Sequence, residues 1–251
     1  MLELQTTDAA VSISPADGGR LASLRVGGRE LLISEPDPNP MLWGCFPMVP
    51  WAGRVRHGRF EFDDVIYELP LGMPPHAIHG TTYTRPWALD TDGSLLIDLG
   101  PDWPFGGHAK QHFSLEPGRL TCTIEVHAGS RPMPAQAGWH PWFRRPVELT
   151  FAAGAMYARD DEGIPTGQLV DAPDGPWDDC FTQVLSPPQL TWPDGPTLTI
   201  SSTCDHWVVF DELAWGLCVE PQTGPPDGFT LHPRLIEPGR PLVATMTFTW
   251  A

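Results

Sequence analysis

The sequence predicts an all-β fold whose strands pack as two sheets or close into a barrel, and three observations support this. The 251 residues include 30 Pro and 25 Gly, which leaves almost no stretch suited to a long helix. Apolar and polar residues alternate along many segments, and turn-forming residues separate those segments. The number of such segments exceeds what one flat sheet holds. The pattern argues against helical bundles, coiled coils and helical solenoids.

Alternating runs mark individual strands. Asp63-Asp64 divides Arg59–Phe62 from Val65–Leu69, and both flanking runs are rich in β-forming residues, which predicts a hairpin. Leu120–Val126 places its apolar side chains on one face and its polar side chains on the other. Leu242–Trp250 repeats this alternation, so both longer segments are predicted strands with one buried face.

Short turn motifs between other β-rich runs predict further hairpins, because Gly reaches positive φ and Pro presets a turn. These motifs are Asp92-Gly93, Glu116-Pro117-Gly118, Asp194-Gly195 and Glu237-Pro238-Gly239. The spacing of turns recurs from end to end, with no linker and no internal repeat. We therefore expect one domain over residues 1–251.

Composition argues against several classes of protein. There are 31 acidic residues against 15 basic ones, and the formal net charge of -16 opposes binding to nucleic acid or to an anionic membrane. The five cysteines are odd in number and lack CxxC spacing, so we expect reduced thiols rather than disulfides or structural zinc. The first residues lack the pattern of a signal peptide, and no apolar run reaches membrane-spanning length. A cytoplasmic protein is predicted.

Irregular stretches rich in Pro, Gly, His and Trp interrupt the strands. They are Pro36–Pro50, Gly72–Pro86, Gly100–Gly107, Ala158–Cys180 and Pro221–Pro233. Loops of this kind on a β scaffold usually build the functional site.

Several candidate residues lie in or next to such stretches. Arg54 follows a rigid run that includes Trp51, and it is either a ligand-binding fork of donors or a surface arginine lying over that ring. His76 and His79 lie in a loop flanked by Pro and Gly. No carboxylate follows at metal-ligand spacing, so a histidine that belongs to the loop or contacts the substrate is favoured over a metal pair.

Two further segments carry titratable groups on predicted strands. Gly138, His140 and Trp142 share one face, which sets an imidazole beside an aromatic ring. His140 is then either a functional group or a histidine held in the core of the sandwich. In the other segment Leu217 and Val219 face one side, while Glu220 faces the opposite side above small residues. A desolvated carboxyl in that position has a raised pKa and is a stronger base, whereas a strand-end carboxyl in solvent is the alternative.

Taken in order, these motifs resemble the aldose 1-epimerase (galactose mutarotase) family. The resemblance covers most of the chain and rests on Gly44–Gly58, Ile78-His79-Gly80, Trp139–Phe143, Trp177–Phe181 and Val219–Gly224. It implies a large antiparallel β-sandwich, the galactose mutarotase-like supersandwich, and interconversion of the α and β anomers of a hexose or related aldose without cofactor or metal.

The resemblance also implies roles for single residues. The position of Glu220 is that of the family's general base, and the position of His140 is that of its general acid. His79 matches a second histidine near the reacting end of the sugar. Arg54 and Asp178 match residues that bind sugar hydroxyls, although a turn is the default interpretation of Asp178 taken alone.

Aromatic rings and nearby arginines bear on the substrate. Trp142 and Trp51 are the expected apolar faces for sugar C–H groups. Arg56 and Arg59 lie near Arg54 in sequence, and arginines bind the sugar phosphate in the hexose-6-phosphate branch of the superfamily, so a hexose-6-phosphate mutarotase is an alternative.

Two other functions stay open at this point. One is a non-catalytic carbohydrate-binding or regulatory protein on the same fold, and the other is a glycoside hydrolase or lyase that uses Asp178 and Glu220. We expect a small-molecule sugar as the partner, no nucleic acid or membrane, and a monomer or homodimer.

Overall fold

The computed structural model describes residues 1–251, and nearly all of its regular structure is β-strand. The strands in the first half of the chain are β1 (Leu2–Gln5), β2 (Ala9–Ser14), β3 (Arg20–Val26), β4 (Arg29–Glu30), β5 (Cys45–Met48), β6 (Arg54–Val55), β7 (Arg59–Phe62), β8 (Val65–Glu68), β9 (Ala77–Ile78), β10 (Ala88–Leu89), β11 (Leu95–Asp98), β12 (His108–Glu116) and β13 (Arg119–His127). Those in the second half are β14 (Met133–Pro134), β15 (Gly138–Arg144), β16 (Glu148–Thr150), β17 (Ala153–Arg159), β18 (Pro165–Val170), β19 (Asp178–Val184), β20 (Gln189–Thr191), β21 (Thr197–Ser202), β22 (His206–Phe210), β23 (Gly216–Gln222), β24 (Leu235–Ile236) and β25 (Leu242–Trp250). One helix, α1 (Gly228–Leu231), and one 3-10 turn (Arg56–Gly58) complete the regular structure.

Two large antiparallel sheets form the sandwich. The larger has 11 strands in the order β1-β2-β3-β5-β15-β23-β22-β19-β17-β18, with β4 paired to β3. The smaller has 8 strands in the order β10-β11-β12-β13-β25-β21-β20-β16. Three two-stranded ribbons, β14-β24, β6-β9 and β7-β8, lie outside both sheets. The all-β sandwich predicted from the sequence is confirmed.

Four of the five predicted hairpins form, and they are β7–β8, β10–β11, β12–β13 and β20–β21. The chain also turns at Glu237-Pro238-Gly239, but β24 pairs with β14 while β25 pairs with β13 and β21, so the hairpin predicted there is wrong. Leu120–Val126 lies within β13, and Leu242–Trp250 is β25. These two strands pair with each other, and Asp194-Gly195 joins β20 to β21. Alternation located these strands because each has one face in the core and one in solvent.

Two of the stretches predicted to be irregular contain strands of four or more residues. Pro36–Pro50 contains β5, which is buried on both faces. Ala158–Cys180 contains β18, which is an edge strand and exposed along most of its length. A strand that is buried on both faces or exposed on both faces has no apolar–polar alternation, so the periodic signal was missing in both places.

The core lies between the two sheets. A cluster of 49 buried residues includes side chains from both, and Phe143 of β15 meets Phe248 of β25 edge to face at 6.0 Å between ring centroids. Leu217 and Val219 of β23 point into this core, as their alternation predicts. Each large apolar side chain buried here contributes about 1.5–3 kcal/mol. The opposite face of the same central strands is free to carry other groups.

Two composition-based expectations bear on this structure. All five cysteines are free and buried. The single helix is far too short to cross a lipid bilayer.

Candidate active site

Neighbouring strands in the middle of the larger sheet bring His140 and Glu220 together. β15 and β23 pair antiparallel, and their register sets Gly138 against Gln222. Counting two residues along each strand places His140 beside Glu220 on the same face. His140 Nε2 lies 3.3 Å from Glu220 Oε1, and both side chains are almost fully buried.

Aromatic rings hold the His140 imidazole in place. Phe46 stacks on it at 4.7 Å between ring centroids, and Trp142 stacks at 5.4 Å. His79 meets it at right angles at 5.0 Å. The buried Nδ1 of His140 has no hydrogen-bond partner. The ring is therefore positioned by packing, and its Nε2 faces the carboxyl.

His79 approaches the pair from a strained loop. Its φ is +56°, and Gly80 follows with φ +79°. The His79 backbone N–H donates to the carbonyl of Gly53 at 3.1 Å, which fixes the loop against the segment that carries Arg54. The buried His79 Nδ1 has no partner, so it is available to a bound molecule.

Gln222 fixes the orientation of the carboxyl. It lies two residues beyond Glu220 on the same strand face, and its Nε2 donates to Glu220 Oε2 at 3.3 Å. The amide oxygen of Gln222 is buried without a partner. One carboxylate oxygen therefore faces His140 while the other is held by the amide.

Burial displaces the pKa values of the facing pair in opposite directions. It raises the pKa of Glu220 well above the ordinary value, and the negative charge of Asp178 adds to the rise. Burial lowers the pKa of His140 to about 3. A carboxylic acid beside a neutral imidazole is thus the favoured state without a ligand, and the pair holds one proton.

Two arginines and two aspartates form the polar wall of the site. Asp178 Oδ2 accepts from Arg54 Nη2 at 3.4 Å and from Arg159 Nη1 at 3.1 Å. Arg159 Nε donates to Asp179 Oδ1 at 2.7 Å. Each arginine keeps further N–H donors free, so the wall offers donors and acceptors to a polyhydroxylated ligand.

These groups line one cavity of about 200 Å³ on the outer face of the larger sheet. Six of the residues singled out from the sequence lie on its wall. They are Arg54, His79, His140, Trp142, Asp178 and Glu220. An aromatic ring, a paired acid and base, and a charged hydrogen-bonding wall thus surround one small space.

The aldose 1-epimerase family model matches residues 1–211 of the chain. The chain belongs to the aldose 1-epimerase family. The matched stretch contains every predicted site residue except Glu220, whose place in the site comes from the pairing of β23 with β15.

The individual relatives match this family member either over a short stretch or at low sequence identity. YphB of Escherichia coli K12, an uncharacterized protein, is 32% identical over 105 residues, which are 39% of this chain and 36% of YphB. A galactose mutarotase-like protein from Clostridium acetobutylicum has a TM-score of 0.85 at 15% identity, covering 99% of this chain and 94% of that one. The galactose 1-epimerase of Lactobacillus acidophilus NCFM has a TM-score of 0.82 at 17% identity, covering 99% and 93%. At these identities the structures establish the shared fold.

One of the two aromatic rings predicted to contact the sugar lies outside the cavity of this aldose 1-epimerase family member. Trp51 is 1% exposed and does not line the cavity. Its ring belongs to the main core, where it packs against Trp103 and Phe229. The prediction for Trp51 is therefore wrong, because its neighbours on the core side bury the ring that a sugar would need.

The arginines considered for a sugar phosphate also lie outside the cavity. Both terminal nitrogens of Arg56 contact carboxylates, those of Asp160 and Glu162. Arg59 is exposed and pairs with Glu68 at 2.9 Å. Neither arginine lines the cavity.

Sequence reasoning missed three residues that shape the site: Phe46, Arg159 and Gln222. Gln222 had a usable signal, because it shares a strand face with Glu220 two residues away. Phe46 lies in a recognised motif but carries no titratable group. Arg159 had no signal, because β17 was not predicted and its pairing with β19 brings it beside Asp178.

Proposed function

We propose that this protein is an aldose 1-epimerase that interconverts the anomers of a neutral hexose or related aldose. The observation that carries this is the 3.3 Å approach of His140 Nε2 to Glu220 Oε1 on the wall of a cavity rich in hydrogen-bonding groups. Anomer exchange needs one group that removes a proton and one that supplies a proton. A paired imidazole and carboxyl meets that need.

Each ring opening and each ring closure moves one proton to the pair and one proton from it. Glu220 takes the proton of the C1 hydroxyl, while His140 gives a proton to the ring oxygen and the C1–O5 bond breaks. The product is an open-chain aldehyde with a new hydroxyl on C5. Rotation about C1–C2 presents the other carbonyl face, and the reverse transfers close the ring. The protein ends with the proton count with which it began.

Burial of the pair suits this exchange. The neutral pair and the ion pair each hold one proton, so ligand hydroxyls that solvate the charges can shift the balance toward the reactive ion pair. Neither residue needs to exchange a proton with solvent during turnover. The opposite displacements of the two pKa values are of the kind found in acid–base sites.

The remaining wall groups would bind the sugar. Arg54 and Asp178 present donors and acceptors for hydroxyls, and Arg159 extends that set. His79 keeps an unpartnered Nδ1 near the reacting end. Trp142 lines the cavity with an aromatic face suited to sugar C–H groups.

Polarimetry of freshly dissolved α-glucose and α-galactose tests the proposal, with an NMR panel of other aldoses to find the preferred sugar. The protein should speed the approach to anomeric equilibrium. Glu220→Gln and His140→Asn should each lower kcat about 10²–10⁴-fold, because each removes one proton-transfer group and leaves the shape of the site.

Glu125→Gln is the matched control. Glu125 also contacts a histidine, with its Oε2 2.8 Å from His127 Nε2, but that pair lies on β13 away from the cavity. It should keep the wild-type rate. Unchanged activity in Glu220→Gln would overturn the assignment of the base. Saturable sugar binding without any rate enhancement would instead favour a carbohydrate-binding protein.

A further inference from the structure

Cys218 lies beside the acid–base pair, and the proposed reaction does not use it. It is on the same face of β23 as Glu220, two residues earlier, and it is fully buried. Its Sγ, a ring nitrogen of His140 and a carboxylate oxygen of Glu220 all lie within 4.8 Å of one another. Three side chains with three kinds of donor atom therefore converge.

We infer that His140, Cys218 and Glu220 form a binding site for one thiophilic divalent cation, with zinc as the best match. In a tetrahedral zinc site with bonds of the usual length, neighbouring ligand atoms lie about 3.3 Å apart. His140 Nε2 and Glu220 Oε1 are separated by this distance, 3.3 Å. The three donor atoms lie within 4.8 Å of one another, so there is a position for the ion that is no more than about 2.8 Å from each of them. Zinc bonds of about 2.0–2.3 Å then need only a small inward shift of the side chains.

Charge balance favours a divalent cation at this place. A thiolate and a carboxylate buried side by side repel each other and are poorly solvated, whereas a divalent cation between them gives a neutral cluster. Binding transfers the Cys218 thiol proton, and that of Glu220 when it is present, to solvent. Gln222 Nε2, which donates to the second oxygen of Glu220, would act as an outer partner that orients this ligand.

The fourth position of the ion would face the cavity. His140 and Glu220 both line it, so a water molecule or a sugar oxygen could complete the tetrahedron. The ion would occupy the nitrogen and the oxygen that carry protons in the reaction. Inhibition by zinc follows from this, and that consequence rests on the proposed function, whereas the binding itself does not.

Calorimetry with zinc chloride and absorption spectroscopy with cobalt(II) chloride test the site on the full chain without sugar. We expect one ion per chain and a near-ultraviolet charge-transfer band from thiolate to cobalt. Cys218→Ala should abolish the band and raise the Kd for zinc at least about tenfold. Cys180→Ala is the matched control, because Cys180 is a second buried thiol that lines the same cavity, and it should keep both signals.

Three results would overturn the site: no zinc binding, no cobalt band in the wild-type protein, or a Cys218→Ala variant that binds zinc as tightly as the wild type. If Cys218→Ala fails to fold, the wild-type band alone decides. A protein that binds zinc through Cys218 but has no mutarotase activity would sink the proposed function and leave the metal site standing. An active protein without metal binding would do the reverse.

Discussion

His140 and Glu220 are held in a place that disfavours the charge of each. The pKa of Glu220 is raised by burial, so it contributes stability that is fully present below its unfolded pKa and lost as pH rises through the folded value. The pKa of His140 is lowered by burial, so its contribution is present above the unfolded pKa and lost as pH falls toward about 3. We therefore expect the buried pair to lower the free energy of unfolding of the protein at both high and low pH, compared with apolar side chains in the same place.

Replacing Glu220 by glutamine should reveal the free-energy cost of burying its charge. We expect Glu220→Gln to unfold at a higher temperature than the wild type at pH 8, because the amide carries no charge to bury. Each kcal/mol by which the substitution raises the free energy of unfolding should raise the unfolding temperature by about 2–4 °C. At pH 4, below the ordinary glutamate pKa of 4.5, the two proteins should unfold at nearly the same temperature. Thermal unfolding at both pH values measures the difference, with Glu125→Gln as the control. Equal unfolding temperatures at pH 8 would contradict the raised pKa.

At the scale of elements, the loop that carries His79 depends on one close approach between two backbone segments. Gly80 has φ +79° and forms a parallel bridge with Val49. A Cβ at Gly80 would come within 1.9 Å of the carbonyl oxygen of Val49, which no side-chain rotation relieves. This contact holds the His79 loop beside the segment that leads to Arg54.

Gly80→Ala should therefore destabilise the protein by about 3 kcal/mol or more, since the left-handed backbone costs about 1–2 kcal/mol and the clash adds to it. Gly93→Ala separates the two effects. Gly93 has φ +84°, but a Cβ added there would meet no atom within 4 Å, so this variant should lose only about 1–2 kcal/mol. Urea unfolding gives both values. Equal losses would mean that the loop moves aside and that the close approach is not required.

At the scale of the whole molecule, charge separates the surface from the site. The chain carries a formal charge of -16, while the cavity wall balances Arg54 and Arg159 against Asp178 and Asp179. Neither Arg56 nor Arg59 lines the cavity. An anionic substrate would thus approach a negative protein and find no uncompensated cation in the cavity.

This distribution predicts a preference for neutral sugars. We expect kcat/KM for glucose 6-phosphate to be at least about tenfold below that for glucose, because the surface repels the phosphate and the cavity does not bind it. Anomer exchange of both sugars at low and high ionic strength measures this. Added salt should reduce the difference in kcat/KM between the two sugars only in part, since screening weakens the long-range repulsion but does not create a phosphate-binding group in the cavity. Equal values at low salt would instead favour the hexose-6-phosphate alternative.

The sequence by itself determined the all-β class, the longer strands and the chemical groups of the site. It did so because alternation records which face of a strand is buried, and because acid, base and guanidinium groups are visible as residue types. The opposite orientations of Leu217 and Glu220 on β23 followed from that alternation alone. The strands β5 and β18 escaped prediction because both of their faces share one environment.

Only the tertiary structure decided which of these groups meet. The facing of His140 and Glu220 depends on the register of two strands far apart in sequence, and the position of Arg159 depends on a strand pair that alternation does not reveal. Burial of Trp51 in the core depends on the rings around it. Long-range register and packing arise from contacts between distant segments, and no local pattern of residues carries that information.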